Sequence, residues 1–222
     1  MIYNPSKKEI FMENKVLNEL DKFTLKFIHN LEKNVDYVIV SGYVSILLGR
    51  SRSSEDVDLL IPKIDFSKFE KVFNDLIDKG YECANTMDVK EAYSFLSSHA
   101  IRFFEKGFPL PNMEFKMISL DVQEYALKNK IKVIIENEFL FISPLELQIM
   151  YKLSLMSGAN ISEISSNKDF EDAKHIYELF KDQLDGEKLN YFANYFKVNK
   201  QLEFMKNDWC KWTKGIVKSG KK

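Results

Sequence analysis

Asp56 and Asp58 stand one residue apart in the apolar run Asp56-Val57-Asp58-Leu59-Leu60-Ile61. Strand side chains alternate with a period of two, so both carboxylates share one face, and such a pair can hold a divalent cation. Gly42 precedes Asp56 by fourteen residues, in Val38-Ile39-Val40-Ser41-Gly42-Tyr43, an apolar run that ends in a small-residue turn before a short helical segment from Val44 to Leu48. A serine and a glycine at that turn let a phosphate approach the backbone amides. Arg50, Ser51, Arg52, Ser53 and Ser54 link the two parts, a polar loop whose two guanidinium charges suit anionic phosphate. The Asp-Val-Asp pattern alone also describes the solvent side of a half-buried strand. The order and spacing of turn, helix, loop and acidic strand together point to a phosphate cradle beside a metal dyad.

These residues resemble the signature of nucleotidyltransferases of the DNA polymerase beta superfamily, a Gly-Ser or Gly-Gly turn followed by Asp-x-Asp on a strand. The match is Ser41, Gly42, Asp56 and Asp58. Arg52 with Ser53 or Ser54 shortly before the dyad makes the chain most similar to the minimal prokaryotic type, including enzymes of toxin-antitoxin and abortive-infection systems. The order Ser-Gly departs from the family's pattern, which bears on triphosphate contact more than on the metal site. The resemblance covers residues 35 to 180 and implies an α+β fold, a nucleotidyltransferase-like mixed β-sheet flanked by helices. It also implies an NTP substrate, Mg²⁺ or Mn²⁺ as cofactor, and transfer of an NMP to an acceptor hydroxyl with release of pyrophosphate.

Such a site needs a third carboxylate, because cations that face a triphosphate and an attacking oxygen require more ligands than one dyad supplies. Glu114 is the candidate: in Met113-Glu114-Phe115-Lys116-Met117 it shares a strand face with Lys116, opposite Met113, Phe115 and Met117. Asp121 is the alternative, although its place after Ser119 equally suits a helix start. Two later residues extend the resemblance. Lys152, two turns into a helix that starts at Ser143-Pro144, is a cation placed to reach a triphosphate, or else a lysine that snorkels to the surface. Asn167-Lys168-Asp169-Phe170-Glu171-Asp172 looks like the family's Lys/Arg-Asp-x-x-Asp helix, with Asp169 and Asp172 on one face; acidic residues also suit any helix N-terminus. Ser41, Gly42, Arg52, Ser53, Lys152 and Asp169 are thus expected on the nucleotide side, and Asp56, Asp58 and Glu114 on the metal. His99 is left outside, since a lone histidine is more often a satisfied structural residue.

Elements must position these groups. Ser6 with Glu9 forms a capping-box signature, and apolar residues from Ile10 to Leu31 recur at helical spacing, which predicts one long N-terminal helix. Strands are expected at 36–41, 56–61, 81–84, 92–96, 99–105, 113–118, 132–135 and 139–142. Helices are expected at 43–49, 66–79 (capped by Asp65 or Ser67) and 121–128, then at 144–157, 167–182, 187–196 and 198–213. This divides the chain into a catalytic domain at 1–142, including the N-terminal helix, and a helical region at 143–222.

With 222 residues and 45% hydrophobic content the chain can bury a sizeable core. Its 32 basic and 33 acidic side chains leave a net charge of -1, so no global field draws it to nucleic acid, and Lys214, Lys218, Lys221 and Lys222 form only a small basic tail. Cys83 and Cys210 lack metal or disulfide spacing and are expected as buried thiols. No signal peptide or membrane span is expected, which makes the cytoplasm the default location. The acceptor is open among a protein, a tRNA and a small molecule. The alternative function is a catalytically inactive binding module of the same fold acting through a protein partner, for example in a toxin-antitoxin pair.

Overall fold

The computed structural model describes residues 1–156 and 167–207. The chain divides into two compact units, Met1–Pro144 and Leu145–Lys222. The expected break at Gly158 and Asn160, Cys210, the lysine tail, and the ends of the helices expected at 144–157 and 198–213 lie outside the described residues.

The first unit is built on one nine-stranded mixed sheet in the order β1-β2-β8-β9-β3-β4-β7-β6-β5. Its strands are β1 (Ile2–Asn4), β2 (Glu9–Met12), β3 (Val38–Val40), β4 (Asp56–Ile61), β5 (Tyr81–Cys83), β6 (Ile101–Glu105), β7 (Phe108–Met117), β8 (Ile131–Ile135) and β9 (Glu138–Ile142). The helices are α1 (Glu19–Leu31), α2 (Gly42–Leu47), α3 (Phe66–Asp78), α4 (Val89–Leu96) and α5 (Asp121–Lys128). With its helices the architecture is α+β. Among the described residues no helix is long and apolar enough to cross a membrane.

Period-two burial decides what the central strands present. Val57, Leu59 and Ile61 of β4, Met113 and Phe115 of β7, and Ile101 and Phe103 of β6 are fully buried. They meet an aromatic cluster in which Phe27 of α1 stands edge-on to Tyr81 (5.0 Å) and Phe103 packs on Phe73 of α3 (5.7 Å) and Phe115 (5.8 Å). Fully burying such a ring contributes about 1.5–3 kcal/mol. The intervening residues Asp56, Asp58, Arg102, Glu114 and Lys116 therefore lie on the other face.

Two expectations are corrected. The segment from Ser6 does not begin a helix: residues 2–12 form the hairpin β1–β2, with Ile2 opposite Phe11, and β2 joins the sheet parallel to β8. Ile10 and Met12 turn inward with Phe11 outward, a period of two that the helical spacing had masked. The helix starts only at α1, where Asn18 and Asp21 form the capping box (Asp21 N–H to Asn18 Oδ1 2.8 Å, Asn18 N–H to Asp21 Oδ2 3.1 Å). Val16, read as part of the apolar stripe, is 90% exposed. The strand expected at 92–96 is helix α4, whose cap Asp88 accepts from the amides of Lys90 (2.9 Å) and Glu91 (2.8 Å), while Ala92 and Leu96 bury at i,i+4 spacing. The remaining expected elements of this unit occur with ends moved by up to five residues; Asp65 is the cap of α3.

The second unit is helical where described: α6 (Leu145–Ser154), α7 (Lys168–Phe180), α8 (Gly186–Phe196) and a helix through 199–207. Asn167 caps α7 (2.8 Å to the Asp169 amide) and Asp185 caps α8. Buried Glu146 of α6 accepts from the Asp185 amide (2.9 Å), which ties the start of α8 to α6.

Candidate active site

Asp58 sits in the centre of the sheet. It pairs with Val40 of β3 on one side and with Glu114 of β7 on the other, and Glu114 in turn pairs with Arg102 of β6. Three adjacent strands thus present Asp58, Glu114 and Arg102 in one lateral row. Asp56 lies two residues before Asp58, opposite Asn112. Asp121, the alternative third acid, instead opens α5 and is exposed.

Charge pairing within the row is dense. Arg102 Nη2 contacts Glu114 Oε2 at 2.7 Å, and Lys116 Nζ contacts Glu114 Oε1 and lies 3.4 Å from Asp58 Oδ1. Glu114, whose side chain is 14% exposed, therefore has a cation on each carboxylate oxygen. Burial pushes the Asp58 carboxyl above its ordinary range, and repulsion from Glu114 adds to this against the pull of Lys116 and a hydrogen bond from Ser41. Glu114 goes the other way: burial opposes ionisation, but Lys116 and Arg102 outweigh it and hold the carboxyl below its ordinary range. Burial likewise opposes the charge on Lys116, but its hydrogen bond to Glu114 and the pull of Asp58 keep its pKa raised.

The turn before α2 reaches this row. Ser41 adopts φ 66°, a left-handed conformation costly for a residue with a Cβ, and its hydroxyl bonds Asp58. At Gly42 an added Cβ would come within 3.1 Å of Arg52 Nη2, so glycine is what lets the guanidinium lie against the backbone. Arg52 Nε also donates to the Ser53 carbonyl (3.3 Å), and Ser54 Oγ to that of Asp56 (3.2 Å). Behind the turn, Tyr43 Oη donates to buried Asp21 (2.9 Å), which Lys15 also meets at 3.2 Å, fastening α2 to the start of α1.

The donor chemistry of this face suits a hard divalent cation at the dyad. Asp56 and Asp58 offer carboxylate oxygens, and Asn112, whose amide donates to Asp56 Oδ1 at 2.6 Å, has a buried Oδ1 with no hydrogen-bond partner. Glu114 is committed to its two cations, and among the described residues no group of three His, Cys, Asp or Glu side chains is arranged to hold a metal ion.

The structure thus gathers Ser41, Gly42, Arg52, Ser53, Asp56, Asp58 and Glu114 in the first unit. Lys152 and Asp169 come together in the second, where Lys152 Nζ meets Asp169 Oδ1 at 2.7 Å and Asp172 Oδ2 at 2.9 Å. The Lys152 side chain is 3% exposed, which makes it a buried ion-paired group and not a snorkelling one. Sequence reasoning missed Asn112 and the part played by Arg102. Alternation offered a signal for Arg102, which lies between inward Ile101 and Phe103; nothing local marks Asn112. His99 precedes β6 and contacts the Ser98 hydroxyl at 2.8 Å.

The sheet, its acidic central strand and the preceding turn define a nucleotidyltransferase-like fold. The chain is similar to an antigenic nucleotidyltransferase-like protein from Paracoccidioides brasiliensis (17% identity, TM-score 0.50, 86% of this chain and 94% of that one). It is also similar to the antibiotic-resistance factor ANT(2'')-Ia in solution (15% identity, TM-score 0.50, 80% of this chain and 92% of that one). No protein-family model and no curated protein matches the chain by sequence.

Proposed function

We propose that the chain is an NTP-dependent nucleotidyltransferase that moves an NMP to an acceptor hydroxyl. The observation that carries this reading is the set of three carboxylates, Asp56, Asp58 and Glu114, on one face of paired β4 and β7, with the Ser41–Gly42 turn and Arg52 beside them. An acceptor oxygen bonds to the α-phosphorus, its proton passes to a carboxylate of this face, and the bond to the β-phosphate oxygen breaks to release pyrophosphate. Asp56 and Asp58 would hold Mg²⁺ or Mn²⁺, which when bound offsets the phosphate charge and polarises the reacting group. Arg52, lying against Gly42 of the Ser41–Gly42 turn, supplies a fixed positive charge for the leaving pyrophosphate. Glu114, held ionised by Lys116 and Arg102, organises the cations of the face. Within the second unit, Lys152 is paired with Asp169 and Asp172.

The test incubates the protein with each of the four α-labelled NTPs and Mg²⁺ or Mn²⁺, and follows label into protein, tRNA and small molecules. Transfer that disappears in Asp56→Ala/Asp58→Ala establishes the activity and names the acceptor class. Undiminished transfer by Asp56→Ala removes the dyad from the mechanism. Metal-dependent binding without transfer to any acceptor instead favours the inactive binding module, including one within a toxin-antitoxin pair.

A further inference from the structure

We infer that Lys116 stands in for a second metal ion, so that this site takes one divalent cation, at Asp56 and Asp58, while a side-chain ammonium permanently bridges Asp58 and Glu114. The inference rests on the nucleotidyl-transfer reading above and adds to it a metal count and a residue role.

Strand register builds the bridge. Asp58 pairs with Glu114 and Leu60 with Lys116, so Lys116 emerges two residues beyond Glu114 on the same face, and its stem spans back to both acids. Its ammonium meets Glu114 Oε1 and lies 3.4 Å from Asp58 Oδ1. Arg102 takes the other Glu114 oxygen at 2.7 Å. Freeing Glu114 for a metal would break two charge-assisted contacts, one on each of its oxygens. Asp56 differs from Glu114, since it is exposed and accepts from the neutral Asn112 amide, whose oxygen is buried without a partner. The open place for an ion is therefore on the Asp56 side of Asp58.

Mn²⁺ titration without nucleotide, read by the electron paramagnetic resonance of free Mn²⁺, tests this independently of turnover. Wild type is expected to bind one ion per chain, lost in Asp56→Asn/Asp58→Asn. Lys116→Met is expected to bind a second ion, or to tighten the first by roughly tenfold, the scale of outer-shell effects on metal affinity; Glu114→Gln added to it should abolish the gain. Lys116→Arg keeps the charge and should remain at one ion, which separates loss of the cation from a general disturbance of the fold. Two ions in wild type, or Lys116→Met indistinguishable from wild type while the dyad variant loses binding, would overturn the role of Lys116 and leave the transfer reading standing. No Mn²⁺ bound by any variant would overturn the present inference, while the labelling assay with NTP decides the transfer reading.

Discussion

Replacing Lys152 by Met removes the ammonium that meets both Asp169 and Asp172 in the second unit. Lys152 is 3% exposed and Asp172 is fully buried, with ammonium contacts of 2.7 Å to Asp169 and 2.9 Å to Asp172. Taking one partner from a buried ion pair costs about 3–5 kcal/mol, because the remaining charge has lost both water and its counter-ion. With a urea dependence of about 1–3 kcal/mol per molar, the unfolding midpoint should fall by at least about 1 M. Circular dichroism over a urea series measures it. Lys152→Met/Asp169→Asn/Asp172→Asn, which removes the stranded charges, should recover part of the loss, with a coupling of about 1–3 kcal/mol between the sites. A Lys152→Met protein within about 0.5 kcal/mol of wild type would refute the reasoning, since that is the range of surface substitutions.

Asp58→Asn should unfold at the same or a higher temperature than wild type at neutral pH while losing nucleotidyl transfer, because the raised Asp58 pKa means that folding disfavours its charged form; calorimetry and the labelling assay check the two halves. Glu114 behaves oppositely. Its folded pKa lies below the ordinary 4.5, so the stability it contributes is present above that value and is lost as the pH falls through the folded pKa; Glu114→Gln should flatten the acid limb of the stability profile below about pH 5. Tyr43→Phe takes a hydrogen bond from buried Asp21 and should cost about 1–3 kcal/mol in denaturant unfolding, more than the ~0.5 kcal/mol of a surface change. Asn18→Ala removes the cap of α1 and should cost about 1 kcal/mol, whereas Ser6→Ala, on the hairpin, should stay within about 0.5 kcal/mol.

Local periodicity determined much of this protein. Alternation in Asp56-Val57-Asp58 and in Met113-Glu114-Phe115-Lys116 sorted the acids from the core side chains before any tertiary information. The apolar spacing and cap at 65–78 and the run at 121–128 marked α3 and α5 closely. Where two periods overlap, local pattern misled: Ile10 and Phe11 fit a helix stripe as well as a strand, and the outcome depended on β8, more than a hundred residues away, offering a parallel edge to β2. The segment 92–96 read as strand because the deciding signal of helix α4, the Asp88 side chain capping two amides, is weak beside the aromatic content around it. Tertiary structure alone decided that Glu114 stands beside Asp58, that Arg102 and Lys116 occupy both of its oxygens, that Asn112 meets Asp56, and that Lys152 is buried between two carboxylates. Strand register and ion pairing join residues far apart in sequence, and side-chain periodicity carries which face a residue takes but not which neighbour it will meet.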